Sequence, residues 1–89
     1  MTYKVVAVIW TDPRVINRSA IPSDPESLIF PTITFGIIVK RTRKFIILVS
    51  DLERYDDRDD ATYSILLRAN IDAIKEYGEI EIENLRIAP

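Results

Sequence analysis

Between Thr32 and Ser50 the apolar residues change sides at almost every step, a spacing that suits a strand and no helix. Over Thr32–Lys40, Ile33, Phe35, Ile37 and Val39 fall on one face, with Thr32, Thr34, Gly36 and Lys40 on the other. Over Phe45–Ser50, Phe45, Ile47 and Val49 oppose Ile46 and Leu48. The polar stretch "KRTRK" lies between them, so the pair reads as a β-hairpin with a short charged tip. In this phasing Phe45 points to the core. Gly36 inside the first strand predicts a bulge or a sharp bend.

The rest of the chain extends the pattern. Tyr3–Trp10 is a valine-rich, nearly unbroken apolar run, as expected of a strand buried on both faces. Asp12-Pro13 ends it. Residues 13–31 hold four of the five prolines, Pro13, Pro22, Pro25 and Pro31, and therefore form a long connection. Within it, Ser23 to Glu26 has capping-box spacing and predicts one helical turn over Glu26–Leu28. Ile21, Leu28, Ile29 and Phe30 are expected to tack this loop onto the core.

Leu52–Asp60 reads as a charged loop. Ala61–Asn70 admits two structures. As a strand it places Tyr63, Ile65, Leu67 and Ala69 together; as a helix over 61–77 it would align Tyr63, Leu66, Leu67, Ile74 and Tyr77. The helix must bury Asn70 and uses several mediocre helix formers, so the strand is favoured. A short turn over Ile71–Ile74 and a last strand over Glu79–Ile87, with Ile80 and Ile82 facing in, complete the reading. The expected fold is all-β, a small barrel of about five strands in one domain, residues 1–89. The alternative is an α+β arrangement with a helix at about 61–77.

Composition narrows the chemistry. Apolar residues make up 47% of the 89 positions, enough for a core and too many for a disordered chain. The chain has neither cysteine nor histidine, which removes disulfides, thiolate chemistry, the commonest neutral-pH base and the commonest transition-metal ligand. The first apolar run is too short to span a bilayer and lacks a signal-peptide layout, so the expectation is a cytoplasmic chain without membrane contact. Net charge is −2, but residues 1–50 carry +4 and residues 51–89 carry −6. Such polarity can steer a charged partner or bring copies of the chain together.

The order of strand, long loop, hairpin, strand, turn and strand resembles SH3-like (Src-homology-3-like) and Sm-like small barrels. More closely, "VVAVIWTD", "TFGIIVKRTRKFIILVSD" and "ILLRANIDAIKEY" resemble small uncharacterised barrel proteins of phages and bacterial mobile elements. That resemblance implies no catalytic residue. The Sm-like resemblance implies RNA contact through the hairpin loop and a second loop near the last turn. "ILLRANIDAI" puts Arg68 and Asn70 where the second loop would fall, with Ala69 in place of that family's glycine.

Lys40, Arg41, Arg43, Lys44 and Arg68 are therefore the candidate contacts for nucleic acid or another partner. Phosphate contacts by such cations release counterions and depend on salt. The competing reading is a solvated hairpin tip that discourages edge pairing. Asp51, Glu53, Asp56, Asp57, Asp59 and Asp60 offer oxygen ligands, but without EF-hand spacing and with Arg54 and Arg58 among them, so no metal site is assigned. Trp10 is expected in the core. Ile38, Ile46 and Leu48 are core if the barrel closes over them and a subunit interface if it does not. With no catalytic constellation and no cofactor motif, the chain reads as a non-enzymatic interaction or assembly module. Its expected partner is an unidentified protein or a second copy of itself, with nucleic acid as the alternative.

Overall fold

The computed structural model describes residues 1–11, 19–24, 26 and 29–88. Five strands form one antiparallel sheet: β1 (Thr2–Thr11), β2 (Pro31–Arg41), β3 (Phe45–Arg54), β4 (Asp59–Leu67) and β5 (Ile71–Glu81). Their spatial order is β4-β3-β2-β1-β5. A single 3-10 turn, Arg68–Asn70, links β4 to β5, and Ile71 closes it by donating its N–H to the Arg68 carbonyl. The fold is all-β, as the alternation requires.

One face of the sheet holds the core. Val6 and Val8 from β1, Ile38 from β2, Ile46 and Leu48 from β3 and Leu66 from β4 form one buried cluster. Ile71 and Ile74 from β5 and Trp10 from β1 pack against it. Val8 and Ile46 are completely buried although the described residues contain no helix to cover them. The sheet must curl over its own face to shield them, which gives the barrel-like form. Trp10 satisfies its indole N–H by donating to Thr34 Oγ1 at 2.9 Å, so its ring can lie against the core without an unpaired donor.

The strand favoured over Ala61–Asn70 forms, and the alternative helix over 61–77 does not; other expectations are corrected. Residues 59–67 are strand, and β5 starts at Ile71 and ends at Glu81, where a turn at Ile71–Ile74 and a strand over 79–87 had been expected. The cause is two irregularities in the β1–β5 ladder, which pairs Thr2 with Glu81 and Trp10 with Ile71. The register skips Tyr77 between the Val5–Gly78 and Val6–Glu76 pairs, and Asp72 between Ile9–Ala73 and Trp10–Ile71. Each extra residue flips the following side chains, so the segment shows no period of two although it is strand throughout.

A second correction concerns the faces of the hairpin. The buried set is Ile38, Ile46 and Leu48, whereas Ile33 and Phe35 are 55% and 62% exposed and Phe45 is 38% exposed. Register explains this: Val6 lies opposite Gly36 and Val8 opposite Thr34, so the even-numbered residues of β2 share the core face. Gly36 is neither bulged nor at a register shift. An added Cβ would lie 2.5 Å from the Val49 carbonyl oxygen, so glycine is needed for a close backbone approach where β2 begins to pair with β3. The bulge of this strand comes later, at Val39.

The expected anchoring of the first loop also changes. Ile21 is 95% exposed, and Ile29 and Phe30 lie on the surface as well. Leu28 and most of the helical turn at 26–28 fall outside the described residues, although Ile29 donates its N–H to the Glu26 carbonyl at 3.2 Å. Ile80, expected inside, is largely exposed opposite Tyr3, and Ile82 follows the end of β5.

Candidate interaction surfaces

Three surfaces follow from this fold. The first is the hairpin tip. Its turn is built by Thr42, whose Oγ1 accepts the N–H groups of Lys44 at 3.2 Å and Phe45 at 2.9 Å. The Thr42 N–H donates to the Phe45 carbonyl at 2.8 Å. A threonine that caps its own turn explains the sharp reversal in "KRTRK" without glycine or proline. Arg68 then joins the tip from the far end of β4. Its N–H donates to the Lys44 carbonyl at 2.8 Å, and its guanidinium Nη1 donates to the Thr42 carbonyl at 3.0 Å. The five candidate cations therefore share one end of the sheet.

Lys40, Arg41, Arg43 and Lys44 are all exposed, and none is in an ion pair among the described residues. Phe45 sits beside them on the surface, opposite Leu67. Alternation alone had hidden this ring in the core, so the tip has an aromatic neighbour that sequence reasoning missed.

The second surface is the outward face of the sheet. Phe45, Ile47 and Val49 of β3 lie opposite Leu67, Ile65 and Tyr63 of β4. Ile33 and Phe35 continue the apolar surface on β2, against Ile9 and Ala7 of β1. Tyr63, Ile65 and Leu67 are 59%, 57% and 47% exposed. A sheet with apolar residues on both faces has one face more than its own core uses, and such patches mark interaction sites.

Part of this face is roofed by the tail after β5. Leu85 and Ile87 line one side of a cleft of about 320 Å³, with Ile47, Val49 and Tyr63 on the other. Asp59 fastens the tail. Its carboxylate accepts two hydrogen bonds from the Arg54 guanidinium, at 3.1 and 3.2 Å, and one from the Arg86 N–H at 2.8 Å. The Asp59 side chain is only 2% exposed. The Arg54 hydrogen bonds and the Arg86 N–H hold its carboxyl below the usual aspartate range, outweighing the cost of burial. Arg54 also reaches the Asn84 carbonyl at 2.8 Å, and Arg86 the Tyr55 carbonyl at 2.6 Å. Asn84 takes a positive φ of 51° as the chain turns back, a conformation asparagine tolerates.

The third surface is the acidic end of the β3–β4 hairpin, whose four-residue turn closes through the Tyr55 N–H to the Arg58 carbonyl. The acids are partly used internally. Arg58 pairs with Asp57 and Asp60, at 3.2 and 3.4 Å, and stands over the Tyr55 ring. The Tyr55 hydroxyl donates to Glu53 at 2.6 Å, which raises its pKa together with burial and the charge of Asp60. Among the described residues no group of three or more acids is arranged to hold a metal ion. At the chain start, Glu81 receives the terminal ammonium at 2.6 Å and the Thr2 hydroxyl at 2.8 Å, which lower its pKa. No helix among the described residues is long and apolar enough to cross a membrane. Comparison with protein-family models, with curated proteins and with solved structures finds no match for this chain.

Proposed function

We propose that this chain is a non-enzymatic interaction or assembly module that binds a protein partner through the outward face of its sheet. The observation that carries the reading is the second apolar face, where Ile33 and Phe35 lie open beside the strands that bury Val6, Val8 and Leu48. Solvated loops need no such face. The strand order and the 3-10 turn before β5 favour the small-barrel part of this reading. Replacing Ile33 and Phe35 by lysine should leave far-UV circular dichroism and the thermal midpoint unchanged while abolishing binding of a hydrophobic dye. Unfolding of both variants would show that these side chains serve the fold, and the reading would fall.

Nucleic-acid binding is the second reading. It is favoured by the gathering of Arg68 with Lys40, Arg41, Arg43 and Lys44, and by the exposed Phe45 ring beside them. Cations that follow a backbone next to a ring that can stack a base are the two elements of single-strand recognition. Fluorescence anisotropy with labelled single-stranded RNA, single-stranded DNA and duplex DNA across a salt series tests it. Absence of binding at low salt retires it.

A further inference from the structure

The two outer strands of the sheet differ in how they are protected. β5 carries Lys75, Glu76 and Glu79, two register irregularities and Gly78 at φ 140°. Charges, bulges and twist are what keep an edge from pairing with another chain. β4 carries no charge and no proline from Ala61 to Leu67, and the one register shift of its ladder with β3, opposite Thr62 and Tyr63, puts the extra residue, Ser50, on β3 rather than on β4. Among the described residues it pairs only with β3, and no strand lies along its other edge. Tyr63, Ile65 and Leu67 remain exposed along it with the tail in place.

We infer that the β4 edge is a self-association site, where β4 of a second copy pairs antiparallel across a two-fold axis at Ser64. This deepens the proposed interaction module by naming its partner as another copy of the same chain. The register follows from self-complementarity. With Ser64 opposite its own copy, Tyr63 faces Ile65 and Ala61 faces Leu67, all on the outward face, so the two apolar rows become one. The same register sets Asp60 opposite Arg68 of the second copy, twice by symmetry. Asp60 near the start of β4 and Arg68 in the turn just past its end are equally spaced from Ser64 with only uncharged residues between, and on pairing they would exchange their present partners, Arg58 and the Thr42 carbonyl, for each other. Pairing with β5 of a second copy would meet its bulges and its row of charges.

Sedimentation equilibrium over roughly 1 µM to 1 mM should show a monomer–dimer equilibrium. Ile65→Lys should make the chain monomeric while its circular dichroism stays unchanged. Asp60→Arg should weaken the dimer about fivefold by facing like charges, and adding Arg68→Asp should restore it. Because the chain has no cysteine, Ser64→Cys should give a disulfide-linked dimer on oxidation, whereas Thr62→Cys, about 13 Å from its own copy in this register, should not. A chain that stays monomeric across the range overturns the inference and leaves the interaction module to its own test at Ile33 and Phe35. A dimer broken by Phe35→Lys but not by Ile65→Lys also overturns it, and places self-association elsewhere on the apolar face. Cross-linking at position 62 in preference to 64 excludes the proposed register.

Discussion

The backbone N–H of Arg86 donates to Oδ2 of Asp59 at 2.8 Å, binding the tail to the first residue of β4. Arg54 completes the site by donating to both oxygens of the same carboxylate. One acid therefore joins β3, β4 and the segment after β5, and Leu85 and Ile87 are held over the apolar face as a result.

This arrangement has a pH signature. A carboxyl whose folded pKa lies below its unfolded value stabilises the fold above the unfolded value, about 3.9, and loses that contribution as pH falls through the folded value. Glu81, also depressed, acts in the same sense at the chain start. The tail should stay bound at about pH 4 and detach only as pH falls below the unfolded value and through the lower, folded one. Amide exchange of Asn84–Ile87 should rise there by an order of magnitude or more, and Asp59→Asn should give that faster exchange already at pH 7.

The two faces of β2 and β3 should respond differently to truncation. Leu48→Ala opens a cavity in a buried cluster and should cost about 2–5 kcal/mol in urea unfolding. Phe35→Ala removes a mostly exposed ring and should cost less than about 1 kcal/mol. A larger loss for Phe35 than for Leu48 would reverse the assignment of inner and outer faces.

Gly36→Ala tests the close approach of β2 to β3. The new Cβ meets backbone, the Val49 carbonyl, which cannot swing aside as a side-chain tip could. A destabilisation of about 1–3 kcal/mol is expected, with faster exchange of the Ile37–Val49 ladder. Unchanged stability would show that the strands separate there at little cost.

For the basic tip, the salt slope is the informative quantity. If single-stranded nucleic acid binds there, the double variant Arg41→Ala/Arg43→Ala should reduce the log–log salt slope by about 1.4, or about 0.7 per lost phosphate contact. A loss of affinity with an unchanged slope would mean that these arginines do not touch phosphate.

Legibility in the sequence differed from strand to strand. Tyr3–Trp10 and the hairpin were readable because a dense β-branched run and an interrupted alternation each have one structural meaning. β4 was readable as the better of two options, since a helix would have had to bury Asn70. β5 was not, because the extra residues at Asp72 and Tyr77 erase its period while preserving its hydrogen bonds to β1. The five cations were all nameable from sequence. Their meeting at one end was not, since Arg68 and Thr42 are 26 positions apart and join only when β4 returns along β3. The Asp59–Arg86 link likewise had no sequence signal, as neither residue stands in a motif.

By itself, the sequence determined that this chain is built of strands, that it lacks thiol and imidazole chemistry, and that its cations concentrate at a turn. Those are consequences of residue type and of local spacing. Only the tertiary structure decided which face of each strand is buried. The hairpin has apolar residues at both phases, Phe35 and Phe45 at one and Ile38, Ile46 and Leu48 at the other, so local pattern cannot choose between them. The choice is made by register against β1, where Gly36 and Thr34 lie opposite Val6 and Val8 and the sheet curls around that face. Ile33 and Phe35, on the opposite phase, are left outside.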